Sequence, residues 1–142
     1  MNNKGFSLVE LLAVIVIVSI LAILGIVGYT RYIDYTKQKA YDTMASSAKN
    51  AAAEYTMDYI GIDSVTLEEL TENEYMEFPT DPSSKGTACK GKVDITYNES
   101  DEGLDTEDYE VYICCANYTY KYEYKYNLDN VKKTKLNTCP VE

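Results

Sequence analysis

The longest hydrophobic segment of the chain lies near its N-terminus. The 19 residues from Leu11 to Tyr29 carry no charge. At about 1.5 Å of helical rise per residue they span roughly 28 Å, which is close to the thickness of the hydrocarbon core of a bilayer. A chain of 142 residues can hardly surround a helix that is apolar on every face. The pattern therefore predicts a helix that inserts into a membrane.

The helix is predicted to continue beyond this segment. Residues 30–60 contain neither proline nor glycine, and their apolar positions recur every three to four residues, with polar residues between them. This period is typical of an amphipathic helix with one buried stripe. Gly61 is a suitable stop. We therefore expect one helix from about residue 6 to about 60, whose second half buries the stripe Tyr41, Met44, Ala48, Ala51, Ala52, Tyr55 and Tyr59.

Residues 61–91 form a predicted connector with one short helix. Thr66 and Glu69 have the spacing of a capping box, which places the helix start at Thr66. We expect this helix to end at about Glu74. The tetrapeptide that follows, Pro79-Thr80-Asp81-Pro82, favours extended and turn geometry. Two interpretations of this tetrapeptide stay open, a subunit contact and a plain rigid loop.

The C-terminal part has the alternation of an antiparallel sheet. We expect strands at residues 92–97, 109–115, 118–126 and 131–136, with an acidic loop at residues 98–108 and a lysine cluster on the last strand that limits edge pairing. The third strand has the most regular pattern, because tyrosine occupies every second position: Tyr118, Tyr120, Tyr122, Tyr124 and Tyr126. One face of that strand either covers the helix stripe or forms an exposed aromatic strip for adhesion.

Composition narrows the function classes. The formal net charge is −10, which argues against direct nucleic acid binding, because phosphate binding needs a positive surface. The chain contains no histidine, so Ser-His and Cys-His pairs and the usual histidine-containing zinc sites are excluded. There is no Gly-rich phosphate loop and no carboxylate pair placed for acid–base chemistry. We therefore expect no enzyme activity, no cofactor and no metal, and we interpret the acidic loop as solvated rather than calcium-binding.

A carboxylate stands at the front edge of the apolar segment. Glu10 follows Lys4, Gly5, Phe6, Ser7, Leu8 and Val9. This order of residues before a long apolar run resembles the prepilin signature, which is shared by type IV pilins, type II secretion pseudopilins and competence pilins. The resemblance implies that prepilin peptidase cuts between Gly5 and Phe6 and methylates the new amine of Phe6. It also implies that Glu10 pairs with the Phe6 amine of a neighbouring subunit during assembly.

The resemblance implies a fold and a life cycle as well. It predicts an α+β, lollipop-shaped pilin in which a long N-terminal helix packs against a small antiparallel sheet. Residues 1–5 would be the leader, 6–30 the membrane and assembly segment, and 31–142 an extracellular head. The partners would be other copies and related pilins in a helical fibre, the peptidase and the inner-membrane assembly machinery. Loss of Lys4 with the leader would change the charge to 12 − 23 = −11.

Two alternatives to a type IV pilus subunit for motility or adhesion remain. One is a type II secretion pseudopilin or a competence pilin, which shares the motif. The other is a membrane-anchored binding domain in the cytosol. Basic residues flank both ends of the apolar segment, and their number alone would place the C-terminal side in the cytoplasm. The cleavage motif predicts the opposite orientation.

The four cysteines are Cys89, Cys114, Cys115 and Cys139. In an outward-facing domain they predict two disulfides. A bridge between the adjacent Cys114 and Cys115 would be strained, so Cys139 should pair with one of them and Cys89 with the other. Neighbours on a strand point to opposite faces, so one bridge should lie inside the sheet and one outside. A four-thiolate zinc site is the alternative, but the spacing lacks any C-x-x-C.

Overall fold

The computed structural model describes residues 6–84, 86–98, 106–126 and 130–141, without the side chain of Val27. Its elements, in chain order, are helix α1 (Leu8–Asp58), strand β1 (Ser64–Thr66), helix α2 (Leu67–Glu72), and strands β2 (Lys90–Asn98), β3 (Thr106–Cys114), β4 (Thr119–Tyr124) and β5 (Lys132–Leu136). The five strands form one antiparallel sheet in the order β1-β2-β3-β4-β5. The predicted α+β class, a long N-terminal helix and a small antiparallel sheet, is confirmed.

The chain divides into two compact units, Met1–Gln38 and Lys39–Glu142. We call the second the head unit. In the first unit the apolar side chains of α1 from Leu8 to Ile26 are exposed, for example Leu12 at 55% and Ile20 at 54%. Within the described residues, α1 is the one helix long and apolar enough to cross a membrane, judged by length and composition.

The core of the head unit forms where one stripe of α1 meets the sheet. Tyr41, Ala45, Ala48 and Ala52 are fully buried in the same cluster as the inward-facing residues of the sheet. Those sheet residues are Val93, Ile95, Tyr109, Val111, Ile113, Tyr120 and Tyr122. The stripe is therefore confirmed, with Ala45 added to it. Tyr59 is the exception, because α1 ends at Asp58 and Tyr59 is 46% exposed.

The short helix α2 begins as predicted and ends earlier. Thr66 is its N-cap, and the side chains of Thr66 and Glu69 form the reciprocal bonds of a capping box. The helix ends at Glu72 rather than Glu74, because Asn73 is its C-cap and Glu74 has a positive φ of 64°. This left-handed residue cannot continue a helix.

Strands β2 and β3 are longer than the pattern predicted, whereas β4 and β5 are shorter. β2 and β3 pair in unbroken register from Lys90↔Cys114 to Asn98↔Thr106. The predicted acidic loop is therefore shorter than 98–108, and its residues 99–105 lie outside the described part of the chain. β1 was not predicted, since it has only three residues and pairs through Val65↔Val93 directly before the α2 cap.

Candidate functional site

The N-terminal end of α1 is closed by a second capping box. The Ser7 backbone N–H donates to Glu10 Oε2 at 2.9 Å, and the Glu10 backbone N–H donates to Ser7 Oγ at 3.2 Å. Two backbone donors that a helix start leaves without partners are thus satisfied by two side chains. Sequence reasoning missed this role of Ser7 and Glu10, although the Ser-x-x-Glu spacing is visible in the sequence.

Glu10 therefore has one engaged oxygen and one available oxygen. Among the described residues, Oε2 accepts the Ser7 N–H and Oε1 accepts no hydrogen bond. Phe6 and Glu10 are both exposed, Phe6 at 82%. Gly5, the other half of the predicted cleavage junction, lies outside the described residues. The carboxylate can thus cap its own helix while a second donor approaches from outside.

The cysteines form two disulfides at the end of β3. One joins Cys89 to Cys115 and the other joins Cys114 to Cys139. This is one of the two pairings that the sequence left open. Cys89 and Cys115 pack in the core cluster, whereas Cys114 alternates with the inward-facing Ile113 and lies on the other face. All four sulfurs are bonded, and a disulfide does not supply the thiolates that zinc needs.

The tyrosines of β4 form part of the core. Tyr120 and Tyr122 are buried, and Tyr118 and Tyr124 pack against the same cluster. The predicted cover over the helix stripe is confirmed for these four. It is wrong for Tyr126, which is 66% exposed because β4 ends at Tyr124.

Two polar contacts fix this aromatic face to α1. The Tyr122 hydroxyl donates to Asp42 Oδ1 at 3.0 Å, and Lys133 Nζ lies 2.7 Å from the same oxygen. The Lys133 ammonium also lies 4.3 Å from the centroid of the Tyr120 ring. Burial, followed by the hydrogen bond to Asp42, raises the pKa of Tyr122 far above its usual range. The tyrosine hydroxyl therefore remains protonated at neutral pH.

A buried carboxylate fixes the connector to α1. Asp81 is 3% exposed, and its Oδ1 accepts the Tyr41 hydroxyl at 2.6 Å and the Ser83 backbone N–H at 2.7 Å. Its Oδ2 is buried without a partner among the described residues. Burial, followed by the bond to Asp81, raises the pKa of Tyr41 to about 12. The tetrapeptide that contains Asp81 is thus held against the helix, a role that its turn-like sequence did not indicate.

Comparison with known protein families gives a match on the N-terminal segment. The family model of the prokaryotic N-terminal methylation motif matches residues 1–26. These residues include Gly5, Phe6, the Ser7–Glu10 capping box and most of the apolar run. No curated protein and no solved structure matches the chain.

Proposed function

Because the chain carries the methylation motif that is the hallmark of type IV pilins and prepilin-like proteins, we propose that it is a structural subunit of a type IV pilus. The match over residues 1–26 is the observation that carries this proposal. The remaining features support it: a long N-terminal helix, an exposed apolar surface on the first unit, and a head unit closed by two disulfides.

In this function the subunit is first held in the membrane and then polymerised. Prepilin peptidase removes residues 1–5 by cutting between Gly5 and Phe6, and the Phe6 amine is methylated. Residues 6–30 anchor the subunit until the assembly machinery packs them against the same segment of other copies. The head then lies outside the cell, where an oxidising environment maintains both disulfides.

Glu10 directs this packing through its charge. A carboxylate at the centre of a membrane helix would cost about 3 kcal/mol to insert, and less near the interface. A neighbour's Phe6 amine offers a counter-charge, and a buried charge persists when it is paired. The geometry at the helix start supports this role, since Glu10 Oε1 is available while Oε2 accepts the Ser7 N–H.

The test is the mature N-terminus of protein purified from sheared surface fibres. We expect intact-mass and terminal-peptide measurements to give a chain that begins at Phe6 with one methyl group on its amine. A mature terminus downstream of Tyr29 would identify an ordinary signal peptide and overturn the proposal.

The same motif occurs in secretion pseudopilins and competence pilins, so the composition of the surface fibres is needed to distinguish these assemblies. A pilus subunit should be the main protein of long sheared fibres. For a pseudopilin or a competence pilin, deletion of the protein would instead leave fibre preparations unchanged and would abolish protein secretion or DNA uptake, respectively. A cytosolic binding domain is separated from all of these by its cysteines, because it would carry four free thiols.

A further inference from the structure

Charge is distributed unequally between the two edges of the sheet. Residues 50–84 contain nine carboxylates and no lysine or arginine. This segment includes β1, at one edge of the sheet, and α2, which packs beside it. The opposite edge is β5, which carries three lysines in five residues. The head unit therefore has an acidic edge and a basic edge.

The carboxylates of the acidic edge have few partners within the chain. Among the described residues, Glu68, Glu72, Glu74 and Glu77 are exposed and form no ion pair. Glu68 and Glu72 are four residues apart on α2, where like charges destabilise a helix. Repulsion between Glu68 and Glu72 therefore costs the isolated subunit some stability, and a cationic partner from outside would reduce that cost.

The lysines of the basic edge are also accessible. The Lys132 side chain is 71% exposed and lies 3.3 Å from Glu123, a carboxylate that it shares with Lys121. Lys135 is exposed, with its ammonium 5.0 Å from the centroid of the Tyr118 ring. Lysines on an edge strand also discourage strand pairing between chains. That role needs a charge at the edge, whereas a docking role needs a positive charge.

One copy cannot join its own two edges. β1 and β5 are separated by four inter-strand spacings of about 4.8 Å, which places them roughly 19 Å apart across the sheet. A contact between unlike edges must therefore involve a second copy. Such a head-to-tail contact does not close on itself unless a ring forms, and it propagates into a filament.

We propose that the head units of neighbouring copies dock edge to edge, with Lys132 and Lys135 of one copy against Glu68 and Glu72 of the next. This inference rests on the proposed function, since it describes how the outer layer of the fibre is held. The chain carries a net charge of −10, so heads packed at random would repel one another. An oriented contact between unlike edges gives each head an attractive neighbour.

Charge reversal in the full-length chain tests the contact. Lys132→Glu with Lys135→Glu, and separately Glu68→Lys with Glu72→Lys, should each lower the yield of sheared fibres at least tenfold. Combining the four substitutions should restore at least half of the wild-type yield. The matched control is Lys37→Glu with Lys39→Glu, which changes net charge by the same amount as the lysine-edge variant at two residues of α1, and its yield should stay within twofold of wild type.

Zero-length cross-linking of wild-type fibres provides the direct readout. Fibres assembled from a mixture of isotope-labelled and unlabelled subunits should give mixed-isotope links between Lys132 or Lys135 and Glu68 or Glu72. Raising the salt concentration should reduce these links, because exposed ion pairs are screened.

Three outcomes would overturn the docking contact. The first is a wild-type fibre yield from both edge variants. The second is failure of the variant with all four substitutions to regain fibres. The third is cross-linking of the lysine edge to a different protein. Because Lys→Glu keeps a charge on β5, a tolerated reversal would identify the lysines as edge protection only. Each variant must begin at Phe6 and contain both disulfides, which separates this failure from failure of the proposed function.

Discussion

Glu10 combines two roles that substitution can separate. Its Oε2 accepts the Ser7 backbone N–H, which caps the helix, and its charge is the feature proposed to direct assembly. An uncharged amide could still accept the N–H and keep the cap. Loss of the cap and loss of the charge therefore have different signatures.

We predict that Glu10→Val and Glu10→Gln both abolish fibres while membrane insertion and cleavage at Gly5 continue. Each incoming subunit would bury an unpaired Phe6 ammonium, at a cost of several kcal/mol. Processed monomer should accumulate in the membrane, as measured by fractionation and mass analysis. Glu10→Asp keeps the charge with a shorter reach and should assemble partially.

Ser7→Ala is the matched control for the cap, because it removes the Ser7 hydroxyl and leaves the carboxylate in place. It should still form fibres. A normal fibre yield from Glu10→Val would show that this carboxylate merely lies at the headgroups.

The Tyr41–Asp81 hydrogen bond makes a second prediction at the scale of single residues. Tyr41→Phe removes the hydroxyl that donates to Asp81 Oδ1 at 2.6 Å. The variant leaves the buried Asp81 carboxylate with one hydrogen bond fewer, which should lower the free energy of unfolding by about 1–3 kcal/mol. Thermal melting of the full-length chain in detergent checks this, with Tyr126→Phe as the exposed control. Equal melting temperatures for the two variants would contradict the stabilising role of this bond.

At the scale of elements, periodic segments were predictable and short polar contacts were not. The alternating tyrosines of β4 indicate a strand, and the Thr66–Glu69 spacing indicates a helix start, and each pattern needs only a few residues. β1 has three residues, too few to show a period, and its pairing with β2 depends on a strand 26 residues further on. Asp81 occurs in a sequence typical of turns, and only the packing of the connector on α1 buries it. The Ser7–Glu10 box was visible but overlooked, because the apolar run after it dominates the pattern.

Gly91 makes a prediction at this scale, because two elements approach it closely. A Cβ at Gly91 would collide with the backbone oxygen of Tyr112 on β3 and lie 2.7 Å from Leu67 Cδ1 on α2. Gly91→Ala should therefore separate β2 from its neighbours and lower the free energy of unfolding by about 1–3 kcal/mol or more. Chemical denaturation measures the loss. Lys90→Ala, at the adjacent exposed position, should leave the free energy of unfolding nearly unchanged. The same result for Gly91→Ala would show that the sheet accommodates a Cβ at this position.

For the whole molecule, the buried tyrosines predict alkaline unfolding of the head unit. Burial is the main cause that raises the pKa of Tyr41 to about 12 and the pKa values of Tyr109 and Tyr122 further. An unfolded tyrosine titrates near 10, so above that pH the unfolded chain has lost protons that the folded chain keeps. The contribution of these tyrosines to stability should be constant below about pH 9. It should then fall by about 1.4 kcal/mol per pH unit for each such tyrosine, until the pH reaches the raised pKa of that tyrosine in the folded state.

Circular dichroism and tyrosinate absorbance, followed together, check this prediction. The sheet signal should be lost in the same pH range in which the buried tyrosines ionise. Tyr122→Phe should reduce the slope of stability against pH. Retention of the sheet after all tyrosines have ionised would contradict the prediction.

The two disulfides also limit how far the head can be stretched. Tension between α1 and the C-terminus passes from Cys89 directly to Cys115, moves back one residue to Cys114, and passes directly to Cys139. The roughly 50 residues between Cys89 and Cys139, which include β2 to β5, cannot lengthen the load path even if their hydrogen bonds break. Apart from α1 itself, the segment between Asp58 and Cys89 is the main part of the load path that can lengthen, to at most roughly 100 Å at about 3.3–3.6 Å per residue. Each head in such a fibre would therefore extend by a limited length under load. Its strands would stay close to their partners and could pair again when the load is released.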